Sequence, residues 1–79
     1  MKHVYILQSI NEPERYYTGV ADDVDVRLKD HNGSKCTHTK KHAPWNVIVS
    51  IGFEDDHKAF KFEQYLKSGS GRAFAKKHF

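Results

Sequence analysis

Arg27 and His31 stand four residues apart within YYTGVADDVDVRLKDHN, residues 16–32. On a helix that spacing makes them neighbours, on a side next to the stripe formed by Val24 and Leu28, so both could face a cleft. A plainer arrangement uses the same residues: Arg27 pairs with Asp23 or Asp30 at the surface, and His31 decorates a helix C-terminus, where a cation is mildly favoured. Glu63 raises the same choice on a later segment, because it borders an apolar stripe between Phe62 and Leu66. One carboxylate there could serve Mg²⁺, which takes one or two protein carboxylates and keeps its remaining positions for water and phosphate oxygens. It could also be a surface acid among Lys61 and Lys67. Cys36, His38 and His42 fall within seven residues, with zinc-like spacing, but one thiol and no upstream cysteine pair offer at most three ligands. Cys36 has no fixed base beside it in the sequence, which argues against a nucleophile.

The elements that must position these groups follow from the apolar pattern. HVYILQS at 3–9 alternates, with Val4 and Ile6 on one face and His3, Tyr5 and Leu7 on the other. NEPER at 11–15 has turn chemistry, and YYTGVA at 16–21 resumes β character, so the two strands form an antiparallel hairpin, with Gly19 as the turn region that lets the second strand and the following helix converge. Asp22 or Asp23 caps a first helix over about residues 23–32, with Asn32 and Gly33 as its stop. GSKCTHTKKHAP at 33–44 has no apolar period and reads as a long, basic, mobile loop. WNVIVSIGF at 45–53 alternates strictly, which predicts a strand with Trp45, Val47, Val49, Ile51 and Phe53 together on one face. Asp55 or Asp56 caps a second helix with an Ala59, Phe62, Leu66 stripe. SGSG at 68–71 is followed by no Gly-Lys-Ser/Thr and so is no phosphate loop; it reads as a break before a third helix over RAFAKKHF. The order β-β-α-β-α-α predicts an α/β domain, residues 1–79, with a small three-stranded antiparallel sheet flanked by helices.

The 79 residues, 13% of them aromatic, suit one compact domain, since a chain this short buries only about 60% of its unfolded surface. A single cysteine excludes an internal disulfide, and no stretch resembles a signal peptide or a membrane span. The expectation is a soluble, cytoplasmic protein. All ten acids lie between Glu12 and Asp30 or between Glu54 and Glu63. The acid-free stretches hold Lys35, Lys40, Lys41 and His42, then Lys67, Arg72, Lys76 and Lys77. Brought together by the fold, they would make a basic surface suited to a phosphate backbone; left apart, they are ordinary solvated cations.

His3-Val4-Tyr5, Tyr17-Thr18-Gly19, Arg27 ten residues beyond Tyr17, His31-Asn32 and Phe62-Glu63 form an ordered set spanning nearly the whole chain. The set resembles the GIY-YIG nuclease superfamily. TKKHAPW at 39–45 and Leu66-Lys67-Ser68-Gly69 further resemble its small single-domain bacterial members. The resemblance implies a three-stranded antiparallel sheet flanked by helices, in agreement with the pattern above. It also implies that Tyr5 and Tyr17 project toward a scissile phosphate, that Arg27 and His31 face it from the first helix, and that Glu63 holds a metal, Mg²⁺ or Mn²⁺. Such relatives cut phosphodiester bonds by in-line attack of water.

The reaction suits these residue types. A guanidinium that never deprotonates meets the charge growing on the phosphoryl oxygens. Either Tyr17, given cationic neighbours, or His31, which titrates nearest neutrality, could take the proton from water. Departures from the family pattern are His3 and Val4 in place of Gly and Ile, and the lack of an asparagine that follows the metal glutamate in some relatives. The expected activity is a Mg²⁺-dependent endonuclease acting on DNA, single-stranded or branched, with Tyr16, Tyr65 and Trp45 as candidate stacking surfaces. Target choice would come from the basic segments at 33–44 and 67–77 or from a partner protein. The alternative is a nucleic-acid-binding or partner-binding module that keeps the fold without turnover.

Overall fold

The computed structural model describes residues 1–33 and 35–79; Ser34, inside the segment expected to be a loop, lies outside the described residues. The chain runs β1 (Lys2–Ser9), β2 (Tyr16–Ala21), α1 (Val24–Asn32), α2 (Thr37–Lys40), β3 (Trp45–Phe53), α3 (Asp56–Leu66) and α4 (Gly69–His78). β1 lies between β2 and β3 and is antiparallel to both. Its alternation feeds two separate cores. Val4 and Ile6 pack with Ala59 and Leu66 beneath α3 and α4, while Tyr5 and Leu7 pack with Ala21 and Trp45 beneath α1, against Val24 and Leu28.

The expected single face of β3 is divided between these cores. Leu7 opposes Val47 but Ile6 opposes Val49, so Ile48 is an extra residue, a β-bulge that turns the strand over. Trp45 and Val47 therefore join the α1 side, whereas Val49 and Phe53 join the α3 side. A strict period of two in sequence carries no mark of such an insertion.

The helix starts follow the capping chemistry. Asp23 Oδ1 accepts from the Val26 amide at 3.2 Å at the start of α1, and Asp55 Oδ1 accepts from the amides of His57 and Lys58 at the start of α3. Ser68 caps α4 by accepting from the Gly71 amide at 3.1 Å, so SGSG is not a break: its last three residues are the helix's first turn. At Gly71 a Cβ would lie 1.8 Å from the Tyr65 carbonyl oxygen, which explains why the tight α3–α4 corner needs glycine. The presumed mobile loop also needs correction. Thr39 is 3% exposed, its carbonyl accepts from Trp45 Nε1 at 2.9 Å, and the short α2 around it is held by these tertiary bonds.

Candidate active site

Tyr5 on β1 lies directly opposite Gly19 on β2. A Cβ on Gly19 would come 2.7 Å from Tyr5 Oη and 2.8 Å from Cζ, so the phenol ring lies across the glycine. Gly19 is thus not the expected turn; it sits inside a strand, with no positive φ, and is small because an aromatic ring must pass over it.

The ring that crosses Gly19 ends at His31 of α1. Tyr5 Oη is 2.9 Å from His31 Nε2, and His31 Nδ1 is 2.8 Å from Thr39 Oγ1. The tautomer protonated on Nδ1 gives every hydrogen an acceptor: Nδ1–H donates to Thr39, the Thr39 hydroxyl donates to the Cys36 carbonyl across a long 3.4 Å, and the Tyr5 hydroxyl donates to Nε2. Burial, with the Arg27 charge second and Asp30 opposing, lowers the His31 pKa from its ordinary value. Burial likewise raises that of Tyr5, partly offset by the Arg27 guanidinium at its hydroxyl. Both shifts favour a neutral phenol bonded to a neutral imidazole at pH 7.

Tyr17 and Arg27 complete the cluster. The half-buried Tyr17 ring lies 4.6 Å from the His31 ring and 6.2 Å from that of Tyr5. Arg27 donates through Nη1 to Asp30 at 3.1 Å and through Nη2 to Cys36 Sγ at 3.5 Å. The surface pair with Asp30 therefore exists, and the nearby Tyr5 hydroxyl raises the arginine pKa from its ordinary value, with burial opposing. Asn32, next along α1, donates to the Trp45 carbonyl at 3.2 Å and accepts from its amide at 2.6 Å, fastening the helix end to β3.

Glu63 stands apart from this group. It lies on α3, in the other helical layer, with its side chain 16% exposed and 2.5 Å from Lys67 Nζ. Among the described residues no hydrogen bond or ion pair joins it to Tyr5, Tyr17, Arg27 or His31. A groove of about 850 Å³ has Tyr17 and Lys67, the partner of Glu63, among its lining residues, but not Glu63 itself.

The basic residues divide as well. Lys35, Lys40 and Lys41 are exposed beside α2 in the α1 layer, with Lys35 3.9 Å from Asp30, whereas Lys67 and Arg72 belong to the opposite layer and line the groove. They do not merge into one patch. His42 is engaged on one side: its Nδ1 is tied to Glu12 and its carbonyl accepts from Ser9 Oγ at 2.6 Å. The zinc arrangement does not assemble either. Cys36 faces Arg27, His42 faces Glu12, and among the described residues no group of three His, Cys, Asp or Glu side chains is placed to hold a metal. Trp45, 3% exposed, is core and offers no stacking surface, unlike Tyr16 and Tyr65 at 58% and 42%. Thr39, which bonds His31, escaped the sequence reading because its segment has no period to place it, and Cys36 was weighed there as a zinc ligand or nucleophile but not as the partner of Arg27.

Comparison with known proteins bears on the same residues. The family model of the GIY-YIG catalytic domain matches residues 1–77. The chain belongs to the GIY-YIG nuclease superfamily. In this member the two motifs that name the family, here His3-Val4-Tyr5 and Tyr17-Thr18-Gly19, face each other across β1 and β2, so the tyrosine of the first needs the glycine of the second. Among its relatives, "Structure-specific endonuclease subunit SLX1" of Candida dubliniensis is 39% identical over 71 residues, covering 81% of this chain and 25% of that protein. UPF0213 proteins of Halalkalibacterium halodurans and Limosilactobacillus reuteri are 31% and 32% identical, each covering 89% of this chain and 73% and 74% of their own lengths. The chain thus spans about a quarter of the length of the SLX1 relative and about three-quarters of the UPF0213 proteins. No helix among the described residues is long and apolar enough to cross a membrane.

Proposed function

We propose that residues 1–79 act as one nuclease domain, an endonuclease that hydrolyses phosphodiester bonds in DNA by in-line attack of water. The observation that carries this reading is the cluster in which Tyr5, Tyr17 and His31 pack together and the permanently charged Arg27 guanidinium acts on both Tyr5 and His31. Arg27 presents its charge to the phosphoryl oxygens, where preorganised positive charge acts most strongly on the transition state. Tyr17 is the base: it is half-buried and lines the groove, so water and a phosphate reach it. His31 is 1% exposed and has both ring nitrogens bonded, so it acts through its partners and holds the Tyr5 hydroxyl in place.

Glu63 is one hard carboxylate, half-buried and already matched to a cation, a donor that fits Mg²⁺ or Mn²⁺ with water and phosphate oxygens completing the shell. When bound, the ion supplies Lewis-acid stabilisation of the leaving oxygen. The SLX1 relatives are named as subunits of a structure-specific endonuclease, which supports branched or partly unpaired DNA as substrate and a protein partner for targeting.

The test is cleavage of labelled single-stranded, duplex and branched DNA with Mg²⁺, with Mn²⁺ and with EDTA. Cutting should stop in EDTA and fall about 10²-fold or more in Arg27→Ala, the scale of losing one electrostatic contact in the transition state. Arg27→Lys should recover little of it, because an ammonium cannot make two parallel bonds. Cutting that is indifferent to metal, Arg27→Ala and Glu63→Ala would leave only a binding module.

A further inference from the structure

The groove beside Tyr17 has more features than hydrolysis requires. Its floor is apolar, made by Ile6 and Leu66, and its rim carries Lys67, Arg72 and Lys76 from α3 and α4. Glu14 is the one carboxylate among its lining residues. Tyr16 borders it with 58% of its surface exposed. That ring is not loose: Gln8 Nε2 donates to its hydroxyl at 3.3 Å and to the Pro13 carbonyl at 2.9 Å. Phe79, 42% exposed, adds a second aromatic surface at the groove and is itself braced edge-on by Phe74 at 5.6 Å.

Cations along a trough with exposed aromatic faces match an unpaired nucleic-acid strand. Phosphates lie along the rim, while bases stack on rings that have no sequence preference. A duplex keeps its base faces inside its own stack and has nothing to offer Tyr16. We infer that the groove between the sheet and α4 is the track for an unpaired DNA strand, which it leads past Tyr17 with Tyr16 as the stacking platform. The inference rests on the nuclease reading for its direction toward Tyr17, but strand binding is separable from cutting.

The test therefore measures binding in EDTA, where no hydrolysis intervenes. Fluorescence anisotropy would follow a labelled twelve-residue oligo-dT and a duplex of the same length on the full chain. The oligo-dT should bind more tightly than the duplex. The double variant Arg72→Ala/Lys76→Ala should weaken oligo-dT binding at least fivefold and reduce the slope of log affinity against log salt by about 1.4, the share of two phosphate contacts on a single strand. Tyr16→Ala should weaken it at least fivefold, and Tyr16→Phe, which keeps the ring, should restore it. Thermal melts of each variant show that the fold is intact. Equal affinity for duplex, or oligo-dT binding unchanged in both the double variant and Tyr16→Ala, overturns the strand track. Metal-dependent cutting can persist in that case, whereas the loss of cutting alone would overturn only the nuclease reading.

Discussion

A methyl group added at Gly19 would sit 2.7 Å from Tyr5 Oη, and Tyr5 cannot swing away without breaking its bond to buried His31. Gly19→Ala should therefore cost about 1–3 kcal/mol, the usual price of overpacking, and reduce cleavage at temperatures where the variant is still folded; denaturant melts beside initial rates check both. His31 gives a second expectation. Its folded pKa is lowered by burial first and by Arg27 second, so between that value and the unfolded one near 6.5 the unfolded chain holds a proton that the folded chain does not. Stability must then rise with pH through this window, be complete above the unfolded pKa, and be lost as pH falls through the folded one. Urea midpoints from pH 7 to pH 5 should fall more steeply in the wild type than in His31→Asn; parallel curves would refute the assignment. The spacing of Arg27 and His31 was legible in sequence because helical neighbours follow from arithmetic. The true task of Gly19 was not, because a ring arriving from the opposite strand leaves no local sign.

At the scale of elements, the two glycines of the α3–α4 corner make opposite predictions from one geometry. Gly71 has the Tyr65 carbonyl oxygen 1.8 Å from where a Cβ would be, while Gly69 has nothing within 4 Å. Gly71→Ala should force α4 off α3 and destabilise by about 3 kcal/mol or more, near the upper end of overpacking costs. Gly69→Ala should be neutral or stabilise by up to about 1 kcal/mol, since alanine is the better helix former. Paired thermal melts decide it, and similar losses in both would refute the corner packing. Sequence pattern located the three strands and all the longer helices, because capping residues and apolar periods are local signals. It did not show the bulge at Ile48, which adds a residue without disturbing alternation, or α2, which is four residues long and held by His31 and Trp45 from outside the segment.

For the whole molecule, the proposed reaction raises the question of how two helical layers on opposite faces of one sheet would serve it together. Tyr5, Arg27 and His31 are assembled in the α1 layer, while Glu63 is on α3, and Tyr17 at the β2 edge lines the groove that also reaches Lys67. In this state the Lys67 ammonium is 2.5 Å from Glu63 Oε2, on the carboxylate that would hold a divalent ion. Ion and ammonium then compete for one carboxylate. Binding to the folded chain alone stabilises it by mass action, about 1.4 kcal/mol at tenfold above Kd, which for a domain of this size raises Tm by roughly 6 °C or more. Mg²⁺ or Mn²⁺ should therefore raise the Tm of the wild type, and Glu63→Gln should abolish the rise. Lys67→Ala should shift the titration to lower metal concentration by freeing the oxygen. A Tm rise that survives in Glu63→Gln would place the ion elsewhere and leave the glutamate as half of a surface pair, whereas its loss there together with tighter binding in Lys67→Ala would tie the α3 layer to the chemistry of the α1 layer.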